Sequence, residues 1–454
     1  MTDQNEDPKP WEKLEELVEK QETQILEEFI DSLPIGETAR ALSRMNETAQ
    51  NQLMAALAPS EAADLLEQLS DTQAAELVQQ LEPSVAAEIV AELPSNQQAD
   101  LLGDLRPSDA EAILAELKPQ EARELRRLTE YSDDETGGLM VTEFLAFPAE
   151  MTVANVIDNL RANADEYRDY QIQYTFVVED GEKLAGVLRL RDLLLARPKE
   201  SIRSLMIPRP LSVNDHAKLD ELREFFDEHH FLAAPVVDAD NNLMGLVTRS
   251  AVEEALGDRS EDDYRKSQGI VKEELRTMPL GVRSRRRLAW LSVNIFLNVI
   301  AASVIAVYQE TLAQVIALAV FLPIISDMSG CSGNQAVAVS MRELSLGLVR
   351  PSEIMRVWLK EVSVGLINGF ALGLLIAAVA FLWKGNPFLG LVVGTAMMVN
   401  TIIAVSIGGT LPLLMRRLGM DPALASGPIL TTITDMCGFF IVLSMAAAML
   451  SRLV

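Results

Sequence analysis

The chain has 454 residues and a mass of 49.9 kDa, which is too long for one hydrophobic core, so we expect several domains. Its 39 Lys and Arg against 66 Asp and Glu give a formal charge of −27, which argues against nucleic acid as a partner because phosphate binding needs a basic face. Two cysteines exclude a disulfide framework and a zinc ligand set.

The charge is very unevenly distributed. Residues 1–287 hold 59 acidic and 31 basic side chains, whereas residues 288–454 hold 7 acidic and 8 basic ones. The first part is therefore predicted to be soluble and the second to lie in a membrane. The first twenty residues are acidic and polar, so we expect no secretory signal and a cytoplasmic location for the soluble part.

A twelve-residue repeat runs through residues 33–117, inside a predicted acidic N domain of residues 1–132. Its markers are Leu33, Met45, Leu57, Leu69, Leu81, Leu93, Leu105 and Leu117, with proline two residues later at Pro59, Pro83, Pro107 and Pro119. Proline is favoured in the first turn of a helix. The repeat therefore predicts short helices stacked as a right-handed superhelix. Its acidic face is either simply solvated or holds divalent cations loosely.

A second repeat, offset by 59 residues, indicates two copies of one unit within residues 133–256. Each copy reads as strand, polar turn, strand and helix, which resembles a tandem pair of CBS domains, the first at 137–198 and the second at 199–256. The matching positions are Val177 with Val236, Val178 with Val237 and Gly186 with Gly245. Such pairs commonly sense adenine nucleotides or metal ions and often dimerise.

Nucleotide binding in a CBS pair usually needs a hydroxyl side chain followed three residues later by Asp. The first copy has Asp192 but Arg189 at the hydroxyl position, and the second has Thr248 but Ala251 at the acid position. We therefore do not expect a standard nucleotide site.

Residues 257–282 connect the CBS pair to the membrane part, and we predict a helix lying along the membrane face; the alternative is a plain polar linker. Acidic residues in and before this segment are Glu254, Asp258, Glu261, Asp262 and Asp263. Like charges repel unless cations screen them. High cytosolic divalent cation would then hold acidic faces together, and low cation would let them separate.

Residues 283–454 are predicted to form a transmembrane domain of five helices, because about 20 apolar residues span a bilayer. The predicted spans are Leu288–Tyr308, Leu312–Val339, Val362–Trp383, Phe388–Leu414 and Pro428–Met449. Basic residues concentrate before the first span and in the second and fourth loops. The positive-inside rule then places the N-terminus inside and the C-terminus outside the cell membrane.

Asp327 and Asp435 are the two Asp, Glu, Lys or Arg residues inside these spans, where a carboxylate costs on the order of 3 kcal/mol. Either they line a cation pathway, or they are protonated or helix-bonded groups that only pack helices. Asp327 is followed by Asn334 and Gln335, which supply amide groups and are further candidates for lining a pore.

Asp435 follows Gly427-Pro428 and Thr431, whose carbonyl and hydroxyl oxygens are hard ligands suited to Mg²⁺ or Ca²⁺. In a symmetric dimer, two Asp435 side chains would face each other across a central pore. Mg²⁺ sheds its waters reluctantly, so such a pair would receive the hydrated ion.

The whole chain resembles the MgtE family of magnesium channels and transporters. The motifs that carry the resemblance are Thr136-Gly-Gly-Leu-Met140, Gly330 to Gln335, Arg416 to Pro422 and Thr434-Asp-Met436. The resemblance implies a homodimer in which Asp435 is the selectivity-filter acid, with the carbonyl groups of Gly427 and Thr431 at the same ion site.

The resemblance also implies regulatory Mg²⁺ sites. Asp421 matches the loop acid that shares an ion with the connecting plug helix in the closed state, and Asp262 and Asp263 match the plug acids. Glu254, Asp258 and Glu261 complete the regulatory candidates. Relatives often carry acids where this chain has Arg249-Ser250-Ala251.

We therefore expect a Mg²⁺-selective, passive channel of the cell membrane that cytosolic Mg²⁺ closes, and no enzyme activity. No P-loop motif suggests ATP hydrolysis as its driver. Alternatives are a carrier coupled to H⁺ or Na⁺, a broader transporter of Co²⁺ or Mn²⁺, a membrane-anchored sensor that conducts nothing, and a regulated chloride path, which two carboxylates and no base within the spans disfavour.

Overall fold

The computed structural model describes residues 9–20, 22–165, 167, 170, 174–270, 274 and 278–454. It contains two compact units, one ending at Gly257 and the other running from Asp258 to Val454. The first unit holds the predicted N domain and CBS pair, and the second holds the long apolar helices.

In the described part of the N domain, ten short helices follow one another. They are α1 (Pro10–Lys20), α2 (Thr23–Ser32), α3 (Ile35–Leu42), α4 (Glu47–Ala56), α5 (Pro59–Glu67), α6 (Asp71–Val78), α7 (Pro83–Val90), α8 (Ser95–Asp104), α9 (Pro107–Glu116) and α10 (Pro119–Leu128). From α3 to α10 each helix begins twelve residues after the one before it, which confirms the predicted repeat of short helices.

Alternate helices of the repeat stack on each other, as in α5 on α7 and α6 on α8. Proline begins α5, α7, α9 and α10, because its fixed φ suits the first helical turn and its missing N–H is not needed there. Each helix turns small or aliphatic residues inward, so no single unit is stable alone. The handedness of the superhelix stays a prediction.

The CBS pair contains two small sheets. Its elements are α11 (Thr136–Leu139), β1 (Leu145–Pro148), α12 (Val153–Ala162), β2 (Tyr174–Glu179), β3 (Lys183–Arg189), α13 (Leu190–Leu195), α14 (Ile202–Leu205), β4 (Ile207–Pro208), β5 (Val213–Asn214), α15 (Leu219–Glu228), β6 (Ala233–Val237), β7 (Leu243–Thr248) and α16 (Arg249–Ser267). The strand orders are β1-β2-β3-β4 and β5-β6-β7, with the first pair of each sheet parallel and the others antiparallel.

The repeat offset by 59 residues is reproduced in the register of the two hairpins. Val177 pairs with Gly186 and Val236 pairs with Gly245, and in both hairpins a β-bulge follows that pair. A Cβ atom on Gly186 would lie 2.6 Å from Sδ of Met206, so glycine is required for this close approach.

The N domain and the second CBS domain share one hydrophobic core. It runs from Leu14 in α1 through the repeat to Phe226 in α15 and Val252 in α16. The first CBS domain has a separate core around Val156 and Leu188. The N domain is therefore packed as part of one body with the second CBS domain.

The second unit is a bundle of long helices around α21. Its elements are α17 (Leu280–Val307), α18 (Gln309–Gln314), α19 (Leu318–Ser345), α20 (Ile354–Lys384), α21 (Pro387–Arg417), α22 (Pro422–Ala448) and α23 (Leu450–Leu453). Gly365, Gly369 and Gly373 form a stripe on α20 against α21, and a Cβ on Gly373 would lie 2.6 Å from the Gly394 carbonyl oxygen. Small residues thus allow the close backbone approach typical of membrane helices.

Within the described residues, four helices are long and apolar enough to cross a membrane, namely Leu280–Val307, Ile354–Lys384, Pro387–Arg417 and Ser426–Ala448. The second predicted span corresponds to α19, which has 28 residues but is not among these four. It carries Asp327, Asn334 and Gln335, and its crossing of the membrane stays a prediction.

The helices do not have the same bounds as several of the approximate predicted spans, whose limits in the membrane stay predictions. Helix α17 begins at Leu280 instead of Leu288 and α20 at Ile354 instead of Val362, because helical hydrogen bonding continues through polar residues that hydropathy excludes. Helix α19 begins at Leu318 instead of Leu312, and the residues before it form the separate turn of α18.

The predicted connecting helix also has different bounds. Helix α16 begins at Arg249, inside the second CBS domain, and ends at Ser267. Gly269 stops it with a φ of +80°, and a Cβ there would lie 2.0 Å from Nε1 of Trp290, so glycine is needed on both counts. The remainder of the predicted helix includes residues 271–273 and 275–277, which lie outside the described residues.

Candidate cation pathway

Asp435 lies in the interior of α22 and is half-buried. The hydroxyl of Ser326, on α19, donates a hydrogen bond to its Oδ1. Among the described residues no basic side chain pairs with this carboxylate, and its Oδ2 has no hydrogen-bond partner. The group is therefore oriented by a neighbouring helix while one oxygen stays available to a ligand.

Asp327 follows Ser326 directly and lies close enough to Asp435 for their charges to interact. Its side chain is exposed in a single chain, and so are those of Asn334 and Gln335. Positions 327 and 334 are seven residues apart, so they share one face of α19. The three predicted pore-lining side chains of α19 thus lie on a polar face that this chain leaves uncovered.

On the same helix, which begins at Pro422, Gly427 lies about two turns before Asp435 and Thr431 about one turn before it. The fifth span was predicted to begin at Pro428, whereas in the structure the helix continues on both sides of this residue. Thr431 Oγ1 donates to the Gly427 carbonyl at 3.0 Å, and Thr434 Oγ1 donates to the Thr431 carbonyl at 3.0 Å. Each of these carbonyl oxygens thus accepts a hydroxyl hydrogen bond as well as the backbone N–H four residues later in the helix, so both of its lone pairs are engaged.

Asp421 caps the start of α22, where its Oδ1 accepts a hydrogen bond of 2.9 Å from the Ala423 N–H. Its Oδ2 lies 3.3 Å from Nζ of Lys266, near the end of α16. The predicted contact between Asp421 and the connecting helix is therefore present, but a lysine ammonium makes it in this structure.

Asp263 is a regulatory candidate on which the charge of Asp421 acts. Burial raises the pKa of the Asp263 carboxyl; Arg259 acts in the opposite direction, and the charge of Asp421 raises it further. Asp262 instead pairs with Arg265 on its own helix. Basic side chains of α16 thus offset the predicted plug acids.

Asp258 and Glu261 form the outer part of the same acidic stretch. Partial burial raises the pKa of Asp258, and the charges of Glu261 and Asp262 act in the same direction. The negative charges in this stretch therefore repel one another, which disfavours the ionised form of Asp258.

Glu254 lies in the first unit, where its charge contributes to a raised pKa of Glu67 in α5, after burial and the charge of Asp64. In the described part of the chain, no group of three or more His, Cys, Asp or Glu side chains is arranged to hold a metal ion. A single chain thus does not bring the six regulatory candidates together as one ligand set.

Glu361 was missed by the sequence reasoning, which began the third span one residue after it. In the structure Glu361 lies inside α20, half-buried, and a Cβ on Gly409 would lie 2.4 Å from its Cγ. Glycine at 409 therefore makes room for this carboxylate. The signal was a single acid beside Lys360 at the start of an apolar run, which resembles an ordinary loop end.

The residues at the nucleotide-binding positions of the CBS pair contact each other or the backbone. Arg189 Nε lies 3.1 Å from Oδ2 of Asp192, and Thr248 Oγ1 accepts a hydrogen bond of 3.1 Å from the Ala251 N–H. The expectation that the CBS pair lacks a standard nucleotide site stays a prediction.

Three family models match the chain. The MgtE model, described as a divalent cation transporter, matches residues 322–445, the MgtE intracellular N domain matches 33–134, and the CBS domain matches 137–199 and 202–258. The order of the matches follows the order of the described N domain, CBS pair and helical bundle.

Three relatives are named magnesium transporter MgtE. The protein of Bacillus subtilis is 32% identical over 333 residues, 73% of each chain. The protein of Enterococcus faecalis is 34% identical over 328 residues, 72% of each chain. The protein of Thermus thermophilus is 33% identical over 334 residues, 73% of this chain and 74% of that one.

Solved structures also match. The soluble part of a magnesium transporter gives a TM-score of 0.49 at 28% identity, covering 55% of this chain and 98% of that one. The cytosolic domain of the Mg²⁺ channel MgtE in complex with ATP gives 0.48 at 30% identity, covering 53% and 98%.

Long apolar helices, an acidic helical-repeat domain and a CBS pair, in the order of the family matches, are typical of a divalent cation transporter. Because the three relatives are 32–34% identical and 72–74% of each chain is covered, the chain belongs to the MgtE family of magnesium transporters. The predicted family is confirmed.

Proposed function

We propose that this chain forms a homodimeric channel of the cell membrane that lets Mg²⁺ flow passively into the cell. The observation that carries the proposal is the carboxylate of Asp435, held by Ser326 inside an apolar bundle with one oxygen free. A charge in that position is costly unless it meets water, a partner or an ion. The names of the relatives identify Mg²⁺ as the ion.

The uncovered polar face of α19 supports the homodimer. Asp327, Asn334 and Gln335 are exposed there in one chain, and lipid would leave their polar groups unsatisfied. A second copy related by a twofold axis would bring two Asp435 carboxylates to one water-filled conduit. Hydrated Mg²⁺ would bind between them. The carbonyl groups of Gly427 and Thr431 would accept hydrogen bonds from its water shell once the hydroxyl groups of Thr431 and Thr434 rotate away from them.

The membrane potential is a sufficient driving force. Moving two charges inward gains roughly 4.6 kcal/mol per 100 mV. We place the N domain and CBS pair in the cytoplasm and the C-terminus outside, as the distribution of basic loops predicts.

Cytosolic Mg²⁺ closes the channel in this proposal by binding among the N domain, CBS pair and α16. The support is electrostatic: Asp258 and Asp263 both sit where neighbouring acids and burial raise their pKa. A divalent cation at these carboxylates would relieve that repulsion. Lys266 and Arg265 neutralise part of the same charge, so the ion would compete with them.

The test is uptake and growth of a strain lacking Mg²⁺ uptake. Asp435→Ala and Asp435→Asn should abolish Mg²⁺-dependent rescue, whereas the control Glu353→Gln, which removes a carboxylate paired with Arg356 on the same unit, should rescue normally. Normal rescue by both Asp435 variants would contradict the channel and favour a membrane-anchored sensor.

Reconstituted flux separates a channel from a coupled carrier. A channel should conduct Mg²⁺ with no H⁺ or Na⁺ gradient present. Flux that stops when both gradients are removed, and saturates at low rate, would favour the carrier. Equal flux of Co²⁺ or Mn²⁺ would widen the substrate to divalent cations in general.

A further inference from the structure

Asn400 is a buried amide without a partner. It lies in the interior of α21 with a relative exposure of 0%. Within the described residues neither its Oδ1 nor its Nδ2 makes a hydrogen bond. Burying an amide without hydrogen-bond partners costs more free energy than burying a paired amide, because its hydrogen bonds to water are lost without replacement.

The other buried polar side chains described in the second unit do have partners. Their contacts are Ser340 Oγ to the Gly409 carbonyl at 2.7 Å, Thr401 Oγ1 to the Met397 carbonyl at 2.8 Å, Ser426 Oγ to the Pro422 carbonyl at 2.5 Å, Thr434 Oγ1 to the Thr431 carbonyl at 3.0 Å and Ser329 Oγ to the Met397 sulfur at 3.9 Å. Asn400 therefore stands apart as a buried polar group with no partner among the residues that the structure describes.

The position of Asn400 connects it to the candidate ion site. A Cβ on Gly438, in α22, would lie 2.6 Å from Nδ2 of Asn400 and 3.4 Å from a methyl group of Ile325, in α19. Ile325 precedes Ser326, and Gly438 lies one turn after Asp435. The amide thus sits where three helices meet, next to the segments that carry the Ser326–Asp435 hydrogen bond.

We propose that Asn400 is a positioning residue that binds an internal water molecule at this three-helix junction and thereby fixes Ser326 relative to Asp435. The inference rests on the proposed role of Asp435 as the ion site. A water can accept from Nδ2 and donate to Oδ1. Because the Gly438 backbone packs closely on Nδ2, that water would lie on the side of the amide away from Gly438. Buried waters are found at such otherwise unpaired polar groups.

The consequence is a preference among divalent cations. Mg²⁺ demands near-ideal octahedral geometry, whereas Ca²⁺ accepts flexible surroundings. Removing the polar group at 400 would loosen the junction and the Asp435 carboxylate with it. Residues that orient a metal ligand typically change metal affinity about 10- to 100-fold when mutated.

Two size-matched pairs test the proposal in the full-length protein reconstituted in liposomes. The first pair is the wild type and Asn400→Leu, which have side chains of similar size but differ in polarity. The second pair is Asn400→Ser and Asn400→Ala, which differ in the same way. Each is measured for the ratio of Mg²⁺ to Ca²⁺ flux at equal concentration, and for thermal unfolding in detergent. We expect the Leu and Ala forms to lower the ratio about tenfold and the Ser form to stay within about twofold of wild type.

A ratio that sorts by side-chain size, or that stays constant while only the unfolding temperature changes, would overturn the proposal and leave Asn400 a packing residue. If the Leu form fails to fold, the Ser and Ala pair still decides. Asp435→Asn in the same assay distinguishes failure of the proposed function from failure of this inference. Normal flux in Asp435→Asn would contradict the proposed function. Lost flux in Asp435→Asn, together with Asn400 variants whose flux ratio follows side-chain size, would contradict this inference alone.

Discussion

Nζ of Lys266 lies 3.3 Å from Oδ2 of Asp421, and this ion pair joins the end of α16 to the start of α22. The other oxygen of Asp421 caps α22 by accepting the Ala423 N–H. One carboxylate therefore links the connecting helix to the helix that carries Asp435. In the proposed mechanism, Mg²⁺ competes with the lysine ammonium for this carboxylate.

Replacing Lys266 should make closure more sensitive to Mg²⁺. In Lys266→Met the ammonium is lost, so Asp421 and Asp263 attract a divalent cation more strongly. Partly exposed ion pairs contribute up to about 1 kcal/mol, so the Mg²⁺ concentration for half closure should fall by up to about fivefold. Patch-clamp recording with Mg²⁺ titrated on the cytoplasmic side measures it.

Lys266→Arg is the matched control, because it keeps the positive charge, and its half-closing concentration should stay near that of the wild type. Identical midpoints in the Met and Arg variants would show that the ion pair takes no part in gating.

The stability of the N domain should fall as the pH rises through the range in which Asp100 titrates. Desolvation by the surrounding helices, and then the charges of Asp133, Asp71 and Asp104, raise the pKa of Asp100 from 3.8 to about 7. The residue is nevertheless exposed on α8, so solvent screening reduces the effect on stability. Between these two pKa values the folded state holds a proton that the unfolded chain releases, so stability is lost as pH rises toward 7. Asp100→Asn should therefore increase the protection of α8 amides from hydrogen exchange at pH 8, and less so at pH 5.

Asp109→Asn is the control of opposite sign. The hydrogen bond from Arg106, 2.6 Å long, holds the pKa of Asp109 below its ordinary value. That contribution is present above pH 3.8 and is lost only as the pH falls through the lowered value. The Asp109 variant should thus lower protection at pH 8. If both variants shift protection in the same direction at pH 8, the electrostatic explanation is wrong.

Gly408 should not tolerate a side chain. A Cβ there would lie 2.2 Å from the Gly333 carbonyl oxygen, so α19 and α21 would have to move apart. Overpacking of this kind costs roughly 1–3 kcal/mol. Gly408→Ala should therefore lower the unfolding temperature in detergent, whereas Gly330→Ala, where a Cβ meets no atom within 4 Å beyond its own helix, should have a small effect. Equal unfolding temperatures for the two variants would contradict the close helix packing.

The soluble half was the more predictable part of the fold. Leucine and proline at a twelve-residue spacing fix where each short helix starts, because proline can begin a helix but not continue one. The match of Gly186 with Gly245 predicted two equivalent hairpins, since a strand repeat with a required glycine reproduces its register. The shared core of the N domain and second CBS domain depends on contacts distant in sequence, which neither repeat encodes.

The candidate site was predictable as far as Asp435, because one acid in a long apolar run has few structural explanations. Its partner Ser326 was not, since a serine in such a run carries no signal of its own and only the packing of α19 on α22 brings it near. The ion pair of Lys266 was not predicted for a similar reason, since a basic residue beside acidic ones is typical of an ordinary solvent-exposed helix face. The role of Asn400 could not be predicted from the sequence either, because only the structure shows that its amide is buried without a hydrogen-bond partner.

The most direct test of the central claim is a structure of the assembled protein crystallised with Mn²⁺ in place of Mg²⁺, with anomalous scattering used to locate the ion. We predict a peak on a twofold axis between the Asp435 side chains of two protomers, at a distance that leaves a shell of water around the ion. Asp435 side chains that point to lipid, or that lie far apart in separate bundles with no peak between them, would contradict the account.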